Sequence, residues 1–106
     1  MKVSEFIQDE SFHLLSTGNV ESDIKGVYTG DLLSWVMHHA KIEDAWCTVL
    51  THVNIIAVAS LLQLACVIVC EDAPIEVETI EKAKKEKINL IKTNLSAVEV
   101  IRKFHD

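Results

Sequence analysis

The chain has 106 residues, with ten Lys+Arg against sixteen Asp+Glu, a formal net charge of −6 and a pI near 5.3. That balance leaves too little positive charge for a surface that tracks phosphates, which argues against DNA or RNA as a partner. A hydrophobic content of 49% with one proline and three glycines excludes a disordered chain, and the length suits one domain, residues 1–106, without room for a catalytic domain plus a cap.

In chain order, residues 3–9 read as a short helix with Val3, Phe6 and Ile7 on one face, and residues 12–15 as a brief strand. Ser16, Thr17, Gly18 and Asn19, followed by Glu21 to Asp23, form the most polar loop of the first half and carry turn chemistry. Residues 24–28 are a second strand, ending in Thr29-Gly30-Asp31. Asp31 directly precedes an apolar-periodic helix, where a carboxylate caps free amides. On that helix Leu32, Leu33, Val36, Met37 and Ala40 fall on one arc at 100° per residue and are expected in the core. Trp35 and His39 flank the arc on one edge, and His38 points further out.

Residues 45–72, AWCTVLTHVNIIAVASLLQLACVIVCED, are the centre of the chain. AWCTVL and ACVIVC are short apolar runs without alternation, as in central strands covered on both faces. The segment between them, 53–63, is apolar almost all round, with Ile55, Val58, Ala59 and Leu62 on one side and Ala57 and Leu61 on the other. Strand, helix and strand make a βαβ unit with parallel strands and a right-handed crossover. A helix of this kind belongs inside the fold or in a subunit interface, so a homodimer is expected, with 53–63 as its candidate interface. Residues 74–87 read as a solvated helix, acidic early and basic late, with Glu78/Lys82 and Glu81/Lys85 as i,i+4 pairs. Residues 88–91 are a last strand, and Thr93-Asn94 turns the chain into Ser96-Ala97-Val98-Glu99, a capping box with Leu95 and Val100 as a hydrophobic staple. The closing helix buries Ala97, Val100, Ile101 and Phe104.

The whole therefore reads as an α/β fold: a mainly parallel sheet of about five short strands with helices on both faces. The apolar run 53–70 approaches the length of a membrane span, but Asn54, Ser60 and Gln63 interrupt it and no Lys or Arg flanks it, which favours two buried elements and no membrane. MKVSEFIQDE turns polar before any apolar region develops, unlike a secretory leader, so a cytoplasmic setting is expected. Cys47, Cys66 and Cys70 include no CxxC pair. On a strand, Cys66 and Cys70 share a face about 13 Å apart at roughly 3.3 Å per residue, too far to bridge, so buried free thiols are expected.

The stretches MKVSEFI, GVYTGDLLSWVM (26–37), HVNIIAVASL (52–61) and the strand-turn of 88–96 carry a resemblance over nearly the whole length to the DRTGG-domain family, specifically its small stand-alone members. The Asp-Arg-Thr-Gly-Gly signature that names the family is missing here. The resemblance implies a parallel α/β fold, usually dimeric, of the kind found between nucleotide-binding CBS modules in regulatory pyrophosphatases. Some relatives carry names borrowed from HPr serine kinase. Kinase activity does not follow, because the chain has no Gly-x-x-x-x-Gly-Lys-Ser/Thr loop to hold a nucleoside triphosphate.

In open parallel sheets ligands bind beyond the carboxyl ends of the strands. Here those positions are Thr29, Gly30 and Asp31, then Thr51, His52 and Asn54, then Glu71 and Asp72, then Thr93 and Ser96. Free amides at helix starts suit a phosphate-like anion, while capping and turn formation explain Asp31, Asp72 and Ser96 equally directly. Two functions follow as expectations. One is a non-enzymatic regulatory homodimer that binds a nucleotide, another small anion or a protein partner at this rim. The other is a small enzyme with His52 and Glu71 or Asp72 as acid and base. No cofactor or metal is expected: His38 and His39 point about 100° apart on a helix and cannot chelate one ion together.

Overall fold

The computed structural model describes residues 1–104. Its elements are α1 (Val3–Phe6), β1 (Phe12–Ser16), β2 (Gly26–Thr29), α2 (Leu33–His39), β3 (Asp44–Thr48), α3 (Asn54–Leu62), β4 (Cys66–Val69), α4 (Val77–Glu86), β5 (Leu90–Thr93) and α5 (Ala97–Arg102). They form a five-stranded sheet of order β1-β5-β4-β3-β2. β2 to β5 run parallel, and only β1 is antiparallel, on the outside of β5. The central βαβ unit is therefore present, with Ala45 opposite Cys66 and Thr48 opposite Val69.

From β2 to β5 every crossover steps one strand in the same direction, so helices of the same hand land on the same face. Val36 of α2, Ile55, Ile56, Val58 and Ala59 of α3 and Ala83 of α4 accordingly pack with Trp46, Val67, Val69 and Leu90 of the sheet. The opposite face holds Ala45, Cys47, Cys66, Ile68, Cys70 and Ile91, covered by Val3 and Phe6 of α1 and Val100 of α5. Phe6 anchors that side, its ring 4.3 Å from Phe12 and 4.4 Å from Phe104 between centroids. β3 and β4 are buried at every residue, which is why neither alternates.

Several expectations shift for local reasons. The last strand starts at Leu90 because Lys87 and Ile88 still serve α4: Lys87 is left-handed at φ 56, and Ile88 donates its amide to the Ala83 carbonyl. α4 starts at Val77, since the chain from Pro74 to the N-cap Glu76 remains outside the helix. Neither expected i,i+4 pair forms on it, and Lys82 meets Glu86 at 3.5 Å instead.

α2 departs most. Leu32 is extended and stays outside the helix, and it is 63% exposed, while Met37 is also exposed. α2 covers the edge strand β2 and has α3 as its flanking helix, so its buried contact narrows to Val36 and Ala40 with Leu33 against the cluster. α3 is buried along Ile55, Ile56, Val58 and Ala59 but presents Ala57 and a 68% exposed Leu61 to solvent. The capping box forms as expected: Glu99 donates its amide to Ser96 Oγ at 3.2 Å, and Ser96 donates its own to Glu99 Oε1 at 3.0 Å.

Gly18 explains how the polar loop of residues 16–23 is tied down. A Cβ at this position would lie 2.1 Å from the Lys87 carbonyl oxygen, so only glycine permits the approach. At that contact Gly18 donates its amide to Asn89 Oδ1 at 2.6 Å, and Asn89 Nδ2 donates to the carbonyls of Asn19 and Ala65.

Candidate functional site: the rim beyond the parallel strands

Four parallel strands end on one side of the sheet, and the topology brings their following loops to one rim. Thr29 closes β2 and is exposed, Gly30 and Asp31 follow it, Thr51 and His52 lie between β3 and α3, and Asn54 opens α3. Glu71 and Asp72 follow β4, exposed, and Thr93 closes β5, fully buried.

The rim is braced from beneath by side chains of the core. The Trp46 indole, itself 0% exposed, donates from Nε1 to the Gly30 carbonyl at 2.9 Å. Asp31 does not cap α2, whose N-cap Leu32 has no side-chain bond. Its Oδ1 instead accepts from Thr48 Oγ1 at 2.7 Å and from the Val49 amide at 2.9 Å, clamping the loop after β3 to the loop after β2. Thr48 Oγ1 in turn accepts from the Leu50 amide at 3.1 Å. From α4, the buried Thr79 hydroxyl donates to the Thr51 carbonyl at 2.7 Å. These bonds leave the loop little freedom to rearrange, which lowers the entropy a ligand must remove.

The turn after β4 is strained. Glu71 and Asp72 are consecutive left-handed residues, at φ 58 and 55, a conformation that costs a non-glycine residue about 1–2 kcal/mol. They are held there because Glu71 donates its amide to the Leu95 carbonyl and Asp72 donates its own to Thr93. Thr93 Oγ1 accepts from the Leu95 amide at 3.2 Å, so this buried residue braces the rim from within. Strain of this kind concentrates at ligand clamps and switch regions.

His52 accepts the Asn54 amide on Nδ1 at 3.2 Å, so its other ring nitrogen carries the proton and is a donor. Asp72 pairs with Lys92 at 3.4 Å. Among the described residues no hydrogen bond joins His52 to Glu71 or Asp72, so the acid-base pair is not assembled in this conformation.

The three thiols are free and buried on the α1 and α5 side of the sheet, Cys47 and Cys70 near the carboxyl ends of β3 and β4 and Cys66 at the opposite end of β4. Burial pushes the Cys66 thiol up to about 12. Cys47 and Cys70 are neighbours on this face: the adjacent Cys70 thiol pushes Cys47 above the usual range, and the adjacent Cys47 thiol lowers Cys70. Register is the signal that finds them, since Cys47 lies opposite Ile68 and shares its face with Cys70. Thr48 as the partner of Asp31 was also missed, because the two residues meet only once β2 and β3 pair.

No family model and no curated protein matches the sequence. The fold is similar to a solved structure: the CBS and DRTGG domains of the regulatory region of Clostridium perfringens pyrophosphatase, complexed with the activator diadenosine tetraphosphate. The TM-score is 0.77 at 18% identity, over 95% of this chain and 44% of that one. The chain thus spans less than half of the protein it resembles, and at this identity the likeness is one of fold.

Proposed function

We propose that the chain is a DRTGG-like regulatory module: a non-enzymatic homodimer that senses a nucleotide or another small anion at the carboxyl ends of its parallel strands. The observation that carries this reading is the similarity of nearly the whole chain to a regulatory region solved with a nucleotide activator. The braced rim, the strained Glu71-Asp72 turn and the donor on His52 support it. Electrostatics add a condition: an anionic ligand at this rim meets the carboxylates of Asp31, Glu71 and Asp72, with the Lys92 ammonium beside Asp72 as a nearby positive charge. The homodimer forms through α3, where Leu61 and Ala57 remain uncovered.

Thermal-shift measurements against nucleotides and small phosphates, with and without magnesium, test the ligand, and sedimentation tests the assembly. A ligand at a hundred times its Kd adds about 2.7 kcal/mol to stability. The expected result is a dimer stabilised by at least one nucleotide or small phosphate and dissociated by Leu61→Glu. A monomer that no compound stabilises refutes both parts.

A further inference from the structure

The outer face of α2 carries a shallow groove, open to solvent, of about 530 Å³ and lined by Ser34, Trp35, His38 and His39 of that one helix. Trp35 is 60% exposed, in contrast to the fully buried Trp46. His39 sits in an aromatic row, 4.8 Å from the Trp35 ring and 6.5 Å from that of Tyr28 between centroids. The row backs the indole on one side and leaves the rest of its surface free for a flat ring. The two histidines are set alike: Nδ1 of His38 lies 2.8 Å from the Ser34 carbonyl, and Nδ1 of His39 lies 2.8 Å from the Trp35 carbonyl. A carbonyl only accepts, so each Nδ1 carries its proton and donates. In the neutral ring Nε2 is then an acceptor. No carboxylate is among the lining residues.

An indole face beside two acceptors is complementary to a heteroaromatic ring bearing an amino group. We infer that this groove receives the base of an aminopurine nucleotide, stacked on Trp35 with its exocyclic amine donating to Nε2 of His38. The inference rests on the regulatory reading above and extends it by placing the base on α2, one helical turn beyond Asp31 of the rim.

The test is an amide and indole NMR titration of the intact protein, in the presence of magnesium, with adenosine monophosphate, its N6,N6-dimethyl analogue and inorganic pyrophosphate. Adenosine monophosphate is expected to shift the Trp35 indole signal and the α2 amides, and pyrophosphate to shift rim amides alone. Trp35→Ala should weaken the nucleotide at least tenfold with the pyrophosphate response unchanged, which also shows that the variant is folded. Trp35→Phe should retain most of the binding, and the dimethyl analogue should bind at least fivefold more weakly. A nucleotide that shifts only the rim, or that binds Trp35→Ala as tightly as the parent, overturns the groove and leaves the regulatory reading standing. Equal binding of the dimethyl analogue overturns the amine contact. An indole signal that responds to protein concentration and not to nucleotide overturns the groove in favour of a second copy covering Trp35. Shifts on α2 with none at the rim keep the groove and remove the rim site, and no shift with any probe removes both.

Discussion

Replacing Asp31 with alanine separates its role as a clamp from the helix cap that its position in the chain suggests. The substitution removes one oxygen that accepts from Thr48 Oγ1 at 2.7 Å and from the Val49 amide at 2.9 Å. Water can replace the partner of Val49, which is exposed, but has little access to Thr48, which is 3% exposed. Only the first bond therefore counts in full, and a hydrogen bond to a charged group is worth about 1.5–3 kcal/mol. With an unfolding entropy of about 2.1 cal/mol/K per residue, that loss lowers Tm by roughly 7–14 °C in a chain of this length. Asp31→Asn keeps an acceptor in place and should lose about half of that, about 0.8–1.5 kcal/mol, because charge roughly doubles the strength of such a bond. Thr48→Val removes the other partner. Urea unfolding of Asp31→Ala, Thr48→Val and the double variant forms a cycle, with an expected coupling of about 1–2 kcal/mol. A helix cap predicts additive losses instead. Additivity, or an Asp31→Ala midpoint indistinguishable from the parent, would refute the clamp.

Three further outcomes follow from packing and charge. Gly18→Ala places a Cβ 2.1 Å from a backbone oxygen, so it should cost about 2–3 kcal/mol, seen as a lower urea midpoint at unchanged slope. The Lys103 ammonium, 2.8 Å from Asp9, holds that carboxyl down from 3.8 to about 2, helped by the Ser11 amide. The folded value is depressed, so the contribution is complete above pH 3.8 and fades as pH falls toward about 2. In a carbon-detected titration, Lys103→Met should move the Asp9 midpoint back up, and an unmoved midpoint would remove the pair as the cause. Cys47, Cys66 and Cys70 are each at most 1% exposed, so a thiol reagent should modify none of them in the native protein and all three in urea. Rapid native labelling would show that the sheet opens beneath the rim.

Much of this architecture is written locally. Unbroken apolar runs at Ala45-Trp46-Cys47 and Cys66-Val67-Ile68-Val69 identify strands with no wet face, and the segment between them has helical length, so the parallel unit follows from pattern and crossover geometry. The Ser96 and Glu99 box is equally local, because each partner lies within reach along the chain. The rim positions were likewise legible, since a parallel sheet must put the ends of its strands on one side.

The sequence alone thus determined the fold class, the order of its elements and which loops share an edge, because these depend on periodicity, turn chemistry and caps acting over a few residues. Only the tertiary structure decided what those loops do to one another. Asp31 passed from cap to clamp because β2 pairing with β3 carries Thr48 to it, and Cys47 found Cys70 through strand register. α2 left Leu32 and Trp35 in solvent because an edge strand and one flanking helix cover only part of its surface. Each of these depends on residues far apart in the chain, whose meeting is set by packing across the sheet and leaves no local trace.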